Sequence, residues 1–272
     1  MPRLLISAEN AEFQIIESLK NNRTKRCASG EIFIEGIECI KQAFKAGLDI
    51  TRIIIRKNIS SWAAEAIARH EKTRVKIIEM TDALYRKLCD RDEPSEMLIT
   101  AVMPKPVKKS VSAEKPFILV LDRPSDTGNL GSIIRSANAF GVDEVFIIGH
   151  GVDPWDPKTI RASLGSVFFT IPAQIESVAK LEEYIAIQKN HCGIKVFGTD
   201  SGGGSSLGSM EIKRPLMLIL GNEAKGMSRA AKSLCENIVS IPMMGNINSL
   251  NLASAAGIFM WEAEKNSKNI FE

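Results

Sequence analysis

Apolar residues in the first hundred positions recur with two periods that alternate along the chain. A helical period places Phe13, Ile16 and Leu19 on one face of the segment 9–20. Beyond the polar run 21–26, short apolar stretches typical of strands alternate with helical patterns. The strand-like stretches are 31–36, 51–57, 75–80 and 97–102, and the helical ones are 37–47, 61–72 and 81–90. This alternation predicts a small α/β domain built around a sheet.

The pattern changes after residue 116, where FILVLD (117–122) begins with an unbroken apolar run. Such a run is typical of a strand buried on both faces of a parallel sheet. A helix follows, and its apolar face is formed by Leu130, Ile133, Ile134, Ala137 and Phe140. Later segments are strands at 144–149, 194–199 and 216–220, an apolar stretch at 166–172, and helices at 175–190 and near 228–236. The alternation predicts a parallel sheet covered by helices.

Between the two patterns lies PKPVKKSVSAEKP (104–116), which holds three prolines and four lysines but almost no apolar side chains. A segment of this composition cannot form a core, and it is typical of a linker between domains. We therefore predict a small α/β domain over residues 1–103, a linker over 104–116 and a larger α/β domain over 117–272.

The composition is that of a globular protein, with 272 residues of which 44% are hydrophobic. The five cysteines are scattered without a CxxC pair and the three histidines form no cluster, so we expect reduced thiols and no structural metal. No apolar run approaches the roughly 18 residues of a membrane span. The first residues also lack the apolar stretch of a targeting signal. We expect a soluble protein located in the cytoplasm.

Basic residues concentrate in the first part of the chain. Residues 1–103 carry 17 basic against 15 acidic side chains, residues 104–116 carry four against one, and residues 117–272 carry 14 against 16. This distribution fits either a solvated charged face or contact with nucleic acid. The candidate RNA contacts are Arg23, Lys25 and Arg26 in the polar run, and Arg52, Arg56 and Lys57 around the second strand. The last three suit protection of a sheet edge equally well.

The segment IPMMGNINSLNLASAAGIFMW (241–261) joins a short apolar stretch to a helix rich in small residues. Pro242 fixes the turn, Gly245 permits a positive φ, and Ser249 is the predicted cap of the following helix. Side chains from position 253 to 257 have little bulk, so another backbone can approach closely. The segment has the character of a binding site as well as of packing.

Two familiar motifs match the sequence without their usual context. Residues 204–208 fit the G-x-S-x-G of hydrolases, but His191 is the last histidine, so no triad in that chain order can be completed. Residues 221–228 are similar to a P-loop, except that Met227 stands where a lysine must reach the phosphates. Glu223 within that loop would also repel phosphates. Neither hydrolase nor nucleoside triphosphatase chemistry is predicted.

Polar residues follow three of the predicted strands in the larger domain. Asn129 begins a helix, and Arg135 lies on the face of that helix away from its apolar residues. Glu223 is a lone carboxylate between two glycines. Ser249 and Asn251 lie in the polar turn 242–251 before the small-residue helix, which we call the elbow. Ligands of open α/β sheets bind beyond the carboxyl ends of strands, so we expect these residues to share one site.

These stretches contain N-x-G-x-I-x-R-x-A-x-x-F-G, then L-G-N-E-x-x-G, then I-P-M-x-G-x-x-x-S-L-N. In this order they resemble three motifs of the SpoU (TrmH-like) group of SPOUT RNA ribose methyltransferases, and together they span residues 121–262. The first domain, above all EIFIEGIECIKQAFKAG (31–47), is similar to the small RNA-binding domain often attached to these enzymes. The sequence departs from the family at Ser95 and Glu96, where Gln-Gly is common, and at Ala224, where glycine is common.

The resemblance implies a deep trefoil knot in the C-terminal SPOUT domain, which alternation of strands and helices alone would not predict. It also implies methyl transfer from S-adenosylmethionine to a ribose 2′-hydroxyl in structured RNA, with no metal. The implied cofactor contacts are Thr199, Gly221, Asn222, Gly226, Ile241, Met243 and Leu250. The implied catalytic residues are Asn129, Arg135, Glu223, Ser249 and Asn251.

Arg135 has the central role by this resemblance. Free arginine has a pKa above about 12, so we favour a guanidinium that orients a phosphate and stabilises an alkoxide over one that abstracts the proton, although the sequence leaves both open. Asn129 and Asn251 are expected to position the arginine and the ribose, and Ser249 to anchor the elbow. Glu223 is expected to hold Arg135 by a charge-assisted hydrogen bond.

Each of these residues also has an ordinary structural explanation. Asn129 and Ser249 suit helix caps, Arg135 suits a surface ion pair, and Glu223 suits a solvated loop charge. Their joint occurrence at these spacings favours catalysis. The expected substrate is ribosomal RNA, with transfer RNA as one alternative and a non-catalytic RNA-binding member of the fold as another. The resemblance also implies a homodimer, which we expect to form through the small-residue helix.

Overall fold

The computed structural model describes residues 3–70, 73–90, 93–106 and 114–267. Most of the predicted linker therefore lies outside the described residues. The chain forms two compact units, of which the first includes the chain up to Pro104 and Trp155–Phe168, and the second includes Lys105–Pro154 and the chain from Phe169 onward. Trp155–Phe168 thus groups with the first unit, whereas the sequence pattern places it in 117–272. The predicted domain bounds remain a prediction.

The described residues form twelve strands and ten α-helices. The strands are β1 (Leu4–Ile6), β2 (Glu31–Glu35), β3 (Ile50–Ile55), β4 (Lys76–Met80), β5 (Met97–Val102), β6 (Phe117–Asp122), β7 (Glu144–Ile148), β8 (Ala173–Ile175), β9 (Lys195–Thr199), β10 (Ser205–Ser206), β11 (Leu216–Leu220) and β12 (Asn237–Ser240). The helices are α1 (Ala11–Asn21), α2 (Arg23–Ser29), α3 (Ile37–Lys45), α4 (Ser61–His70), α5 (Asp82–Lys87), α6 (Thr127–Ala139), α7 (Pro157–Ala162), α8 (Val178–Cys192), α9 (Arg229–Ser233) and α10 (Leu252–Ser267).

The first unit is built on a five-stranded mixed sheet with the order β1-β4-β3-β5-β2. Strand β4 pairs in parallel with β1 and β3, whereas β5 pairs antiparallel with β2 and β3. Strands β2 to β5 lie where the apolar stretches predicted them. The sequence pattern did not reveal β1, because three residues are too few to show a period.

Asparagine side chains start the first two helices of this unit. Asn10 Oδ1 accepts a hydrogen bond from the Phe13 amide at 3.0 Å, and Asn22 Oδ1 accepts one from the Lys25 amide at 3.1 Å. The apolar face of α1 is buried as predicted. Because Asn22 caps a second helix, the polar run 21–26 is helical for most of its length and belongs to the packed structure of the unit.

Helix α7 is held within the first unit by side-chain contacts to β2, to the segment after α5 and to α3. Arg161 Nη1 donates to the buried Glu35 carboxylate at 2.9 Å, and Arg161 Nη2 donates to Asp90 at 3.3 Å. The Cys39 thiol donates to the Ile160 carbonyl at 3.6 Å. With six residues, this helix is too short to show a helical period in the sequence.

The second unit is built on seven strands in the order β10-β12-β9-β11-β6-β7-β8, and all of its strand pairs are parallel. This confirms the predicted parallel sheet preceded by a small α/β domain. The apolar stretch 166–172 forms a 3₁₀ turn at Ser166–Phe168, and strand β8 follows it.

Parallel pairing brings the carboxyl ends of four neighbouring strands to one edge of this sheet. Val239 of β12 lies opposite Thr199 of β9, Gly198 lies opposite Ile219 of β11, and Leu220 lies opposite Leu121 of β6. The loops that leave β6, β9, β11 and β12 therefore emerge together. This edge is where the crevice of an open α/β sheet is expected.

Helix α10 packs on α6, and the rings of Phe140 and Trp261 lie 6.2 Å apart. Its cap is Asn251, whose Oδ1 accepts from the amides of Ala253 at 2.9 Å and Ser254 at 3.3 Å. The predicted cap Ser249 is wrong, because it lies three residues before the first helical residue, too far from the open amides of the first turn. None of the helices in the described ranges has the length and apolar character of a membrane span.

Candidate active site

The loop between β6 and α6 is fixed by a side chain at the start of the helix. Asp126 caps α6, and its Oδ1 accepts from the Asn129 amide at 2.7 Å. Asn129 therefore lies in the first turn of α6, with its side chain at the carboxyl edge of the sheet. The predicted position of Asn129 at the loop-to-helix junction matches the structure, but the capping role belongs to Asp126.

The loop after β11 closes on itself through residue Asn222. The Asn222 amide donates to the Gly226 carbonyl at 3.1 Å, and the Gly226 amide donates to the Asn222 carbonyl at 2.9 Å. Asn222 Oδ1 accepts from the amides of Ala224 and Lys225 at 3.0 Å each. A Cβ at Gly221 would lie 2.2 Å from the Met227 amide nitrogen, so only glycine fits there. The chain's own packing thus requires this glycine.

Glu223 extends from this loop to the β6–α6 loop. Its Oε2 accepts from the Ser125 hydroxyl at 2.6 Å and the Ser125 amide at 3.0 Å, and its Oε1 accepts from Asn129 Nδ2 at 3.2 Å. Partial burial acts to raise the pKa of this carboxyl, but the hydrogen bonds from Ser125 and Asn129 outweigh it, so the pKa lies below its ordinary value. Glu223 is therefore a fixed carboxylate at neutral pH.

Asn129 also reaches the third predicted stretch. Its Oδ1 accepts from Asn251 Nδ2 at 2.9 Å, and Asn251 caps α10 with its other side-chain atom. One chain of hydrogen bonds therefore runs from Glu223 through Asn129 to Asn251. Asn129 is 94 residues from Glu223 and 122 residues from Asn251 in the sequence, yet the three side chains form one polar assembly, which we call the Glu–Asn–Asn chain.

The sequence analysis missed two residues that support this assembly. Asp122, 2% exposed at the end of β6, accepts from Arg123 Nε at 2.9 Å and from the Ser228 amide at 2.6 Å. Arg123 has a left-handed φ of 57°, and its carbonyl accepts from Asn222 Nδ2 at 2.8 Å. The detectable sign of this pair is an aspartate that ends an otherwise apolar strand.

Arg135 differs from these residues because it is exposed and forms no hydrogen bond or ion pair with the described part of the chain. It follows Asn129 by six residues, so helical geometry places it about 9 Å further along α6 and on a different face. The expected bond between Glu223 and Arg135 is absent from this chain, because Ser125 and Asn129 occupy the carboxylate. Ser249 is also exposed.

Five of the seven predicted cofactor contacts, namely Thr199, Gly221, Asn222, Gly226 and Ile241, lie at the carboxyl edge. Thr199 ends β9, Gly221 follows β11, and Ile241 follows β12. The side chains of Ile241, Met243 and Leu250 are half-buried, whereas Gly226 is exposed with a φ of 63°. None of the seven predicted contacts carries a positive charge, so a wall of backbone and apolar groups is compatible with a sulfonium cation and an adenine ring.

The predicted RNA contacts in the first unit divide into two groups. Arg26 is 1% exposed and donates to the carbonyls of Leu19 at 2.9 Å and Lys20 at 3.0 Å, so its guanidinium is used within the fold and offers little surface to RNA. Arg52 is 8% exposed and forms ion pairs with two carboxylates, so its charge is likewise used within the fold. The remaining four are more accessible, namely the exposed Arg23, Lys25 and Lys57 and the half-buried Arg56.

The family departure at positions 95 and 96 has a structural explanation. The Ser95 hydroxyl is buried and donates to the Met97 carbonyl at 2.9 Å. The Glu96 carboxylate accepts from the amide and the hydroxyl of Ser60 at 2.6 Å each, immediately before α4. Both side chains are therefore used within the unit, and Glu96 fixes the loop that leads into α4.

A parallel sheet whose carboxyl edge carries linked polar loops is typical of α/β enzymes that bind a cofactor at that edge. The model of the SpoU rRNA Methylase family matches residues 116–261, and that of the SpoU L30e-like domain matches residues 10–105. The chain belongs to the SpoU rRNA methylase family, which confirms the identification made from the three motifs.

Similar proteins cover almost the whole chain. The 23S rRNA (uridine(2479)-2′-O)-methyltransferase of Streptomyces viridochromogenes is 34% identical over 95% of this chain and 91% of its own. The 23S rRNA (guanosine(2553)-2′-O)-methyltransferase of Bacillus subtilis is 27% identical over 93% of this chain and 97% of its own.

The fold is also similar to that of methyltransferases whose structures have been solved. The SpoU methyltransferase AviRb from Streptomyces viridochromogenes, in complex with the cofactor AdoMet, superposes with a TM-score of 0.83 at 32% identity and covers 94% of this chain and 98% of its own. An rRNA methyltransferase from Sinorhizobium meliloti gives a TM-score of 0.83 at 25% identity, with 96% and 97% covered. The predicted cofactor, S-adenosylmethionine, is thus the one bound by a relative.

Proposed function

We propose that the protein transfers a methyl group from S-adenosylmethionine to a ribose 2′-hydroxyl in structured RNA. The observation that carries this proposal is the Glu–Asn–Asn chain, which unites the three motif segments at the carboxyl edge. Helix α6, which carries Asn129, also carries the exposed Arg135. Ribosomal RNA is the favoured substrate, because two relatives that cover nearly the whole chain are named 23S rRNA 2′-O-methyltransferases. Transfer RNA is the alternative.

S-adenosylmethionine, when bound, supplies a methyl group on a positively charged sulfur. The hydroxyl oxygen must reach that carbon in line while its proton departs, so the protein has to fix the ribose and stabilise the oxygen's growing charge. Arg135 is suited to both tasks, because its guanidinium is exposed and has no partner among the described residues. Its five donors can bind a phosphate next to the ribose and still approach the hydroxyl oxygen.

Glu223 is unsuited to accept the hydroxyl proton. Its pKa is lowered by the hydrogen bonds from Ser125 and Asn129, so the carboxylate is a weak base. Asn129 and Asn251 are likewise bonded to neighbouring residues. We assign these three residues to holding the loops in place, and we assign the contact with substrate to Arg135 and to the exposed Ser249 hydroxyl.

The cofactor contacts remain a proposal that rests on their shared position. Thr199, Gly221 and Ile241 stand at the ends of neighbouring strands, and Asn222 and Gly226 form the closed loop beside them. Met243 and Leu250 add half-buried apolar surface. A trefoil knot formed by the C-terminal segment belongs to this proposal, because the family resemblance implies one.

A homodimer is also part of the proposal. Large apolar side chains are exposed on the elbow and on the outer face of α10, where Met244 is 99%, Ile247 61% and Trp261 42% exposed. A Cβ placed on Gly257 would meet no atom within 4 Å, so α10 has open space at this position. Such a patch is typical of a surface that is covered by a partner. A cytoplasmic location accompanies action on ribosomal RNA.

The test is transfer of labelled methyl groups from S-adenosylmethionine into RNA prepared from a strain that lacks the protein. We expect incorporation into ribosomal RNA, and alkaline resistance at one linkage would identify a 2′-O-methyl ribose. Transfer RNA from the same strain is the matched substrate control. If the protein binds the cofactor but modifies neither RNA, it is a non-catalytic member of the fold. Light scattering at micromolar concentration should give the mass of a dimer.

A further inference from the structure

The first unit contains a cavity of about 300 Å³ between α3 and α4. Three aromatic rings line it, those of Phe44, Trp62 and His70, together with the charged side chains of Glu65 and Arg69. None of these residues was singled out in the sequence, and none belongs to the site at the carboxyl edge of the second unit. The cavity is large enough for one flat heterocycle.

The three rings are not part of the hydrophobic core. Helices α3 and α4 bury other faces, and the buried residues are Cys39, Ile40 and Ala43 on α3 and Ala63, Ala66 and Ile67 on α4. Phe44, Trp62 and His70 are only half-buried, and the rings of Phe44 and His70 lie 5.1 Å apart. Partly exposed aromatic rings that face a shared cavity are typical of a stacking surface.

Two polar groups in the cavity are available to a ligand. The indole N–H of Trp62 has no hydrogen-bond partner among the described residues. His70 Nδ1 lies 2.8 Å from the Ala66 carbonyl, which can only accept, so Nδ1 carries the hydrogen. With Nδ1 bonded to that carbonyl, Nε2 is the ring nitrogen left for a ligand. A donor and an acceptor beside aromatic rings match the edge and the faces of a nucleobase.

Positive charge stands at the rim of the cavity. Lys41 Nζ lies 5.6 Å from the centre of the Trp62 ring. Among the residues that the structure describes, Arg69 pairs with Glu65 at a long distance of 3.8 Å, and both of these side chains are mostly exposed. An exposed pair of this length holds its partners weakly. Arg69 and Lys41 thus offer positive charge to the phosphates on either side of a base that enters the cavity.

We propose that this cavity binds one unpaired nucleobase of the RNA substrate, stacked on its aromatic wall with the flanking phosphates on Lys41 and Arg69. The proposal rests on the proposed function for the identity of the ligand as RNA. A base within a duplex is stacked and paired on both sides, so it cannot enter. The first unit would then select RNA that contains an unpaired base in a loop or bulge.

The first experiment measures tryptophan fluorescence of the full chain during titration with a short single-stranded RNA. We expect saturable quenching, since a base would stack on Trp62, and no quenching with an abasic strand of the same length. Trp62→Phe should lose the quenching but keep its affinity. Trp62→Ala should raise Kd about tenfold, within the roughly 5- to 150-fold range that stacking of one base supports. Ile187→Ala, an exposed position on α8, is the matched control with unchanged Kd.

The second experiment measures methyl transfer by the same variants. Trp62→Ala should raise KM for ribosomal RNA about tenfold and leave kcat unchanged, because the cavity lies outside the methyl-transfer site. Normal KM and Kd in Trp62→Ala, with full methyl transfer by the wild type, would refute the base site alone. Quenching by single-stranded RNA without methyl transfer would refute the proposed function and support the base site. Equal quenching by the abasic strand would show that only phosphates are bound and would overturn the proposal.

Discussion

The two units use arginine in opposite ways. In the first unit Arg52 lies between Glu12 and Glu31, with its Nε and Nη1 atoms 2.6 and 2.7 Å from their carboxylates. Arg26 in the same unit is buried against backbone carbonyls. In the second unit Arg135 is exposed on α6 and has no partner in the described part of the chain.

The difference shows that basic residues cannot be assigned to RNA from their sequence position. An arginine with several carboxylate partners is part of the folded structure, because desolvation of its charge is compensated only while those partners remain. Removal of an exposed arginine that has no partner is expected to leave the free energy of unfolding almost unchanged. The charge of such an arginine is then available to a ligand. The predictions below separate these two conditions by measuring stability and activity on the same variants.

The largest effect on stability is expected for Arg52→Ala. The variant leaves the carboxylates of Glu12 and Glu31 without their main partner, so the free energy of unfolding should fall by about 3–5 kcal/mol. Urea denaturation measures this change. Lys57→Ala, an exposed lysine two residues after the end of β3, is the matched control and should change stability by less than about 0.5 kcal/mol. Equal stabilities for the two variants would remove the contrast between buried and exposed basic residues.

Arg135→Ala should show the opposite pattern. We expect kcat for methyl transfer to fall about 10²- to 10³-fold, which corresponds to the loss of one charge-stabilising donor of roughly 2.7–4 kcal/mol. Stability should stay within about 0.5 kcal/mol of the wild type, and cofactor affinity measured by calorimetry should be unchanged. Arg135→Lys keeps the charge but lacks the planar fork, so its kcat should be intermediate. Near-normal turnover of the alanine variant would exclude Arg135 from the chemistry.

Glu223→Gln tests a hydrogen-bonded carboxylate inside the second unit. Because the folded-state pKa of Glu223 lies below its ordinary value, its carboxylate contributes stability above the unfolded pKa, and this contribution is lost as pH falls through the folded pKa. The difference in melting temperature between wild type and variant should therefore be present at neutral pH and shrink below about pH 4, near the ordinary carboxyl value. A difference independent of pH would mean that the charge of Glu223 is not used.

The smallest effects are expected at the start of α10. Asn251→Ala should lower stability by about 1 kcal/mol, because the cap of the helix is lost. Asn251→Asp keeps the cap but lacks the donor to Asn129, so it should retain stability and lose part of the activity. Ser249→Ala should change stability by less than about 0.5 kcal/mol, as it has no capping role. Thermal unfolding distinguishes them, and a larger loss at Ser249 would reverse the assignment.

Local patterns were sufficient for most of the fold. The apolar face of α1 and the continuous apolar run of β6 appear in the sequence as they do in the structure, because burial of a face or of a whole strand leaves a period of its own. Elements of three to six residues, such as β1 and α7, leave no such period. The choice between Ser249 and Asn251 as the cap also escaped prediction, since both residue types suit the position.

Long-range pairing explains what the sequence could not show about the site. Glu223 was identified as an isolated carboxylate, but its partners Ser125 and Asn129 are 98 and 94 residues away in the chain. In the same way, nothing next to Arg52 reveals that Glu12 and Glu31 are its partners. Residue type and spacing select the right candidates, whereas the division between bonded and free side chains appears only in three dimensions.

The Glu–Asn–Asn chain also determines how the enzyme can be recombined with its relatives. The loop that carries Glu223 has its hydrogen-bond donors in the β6–α6 loop, and Asn222 is bonded to the carbonyl of Arg123. A loop transplanted alone would meet the wrong partners on the neighbouring segment. A chimaera that exchanges these segments together, including the cap of α10, keeps the assembly intact, so the smallest exchangeable module of this catalytic domain is discontinuous in sequence.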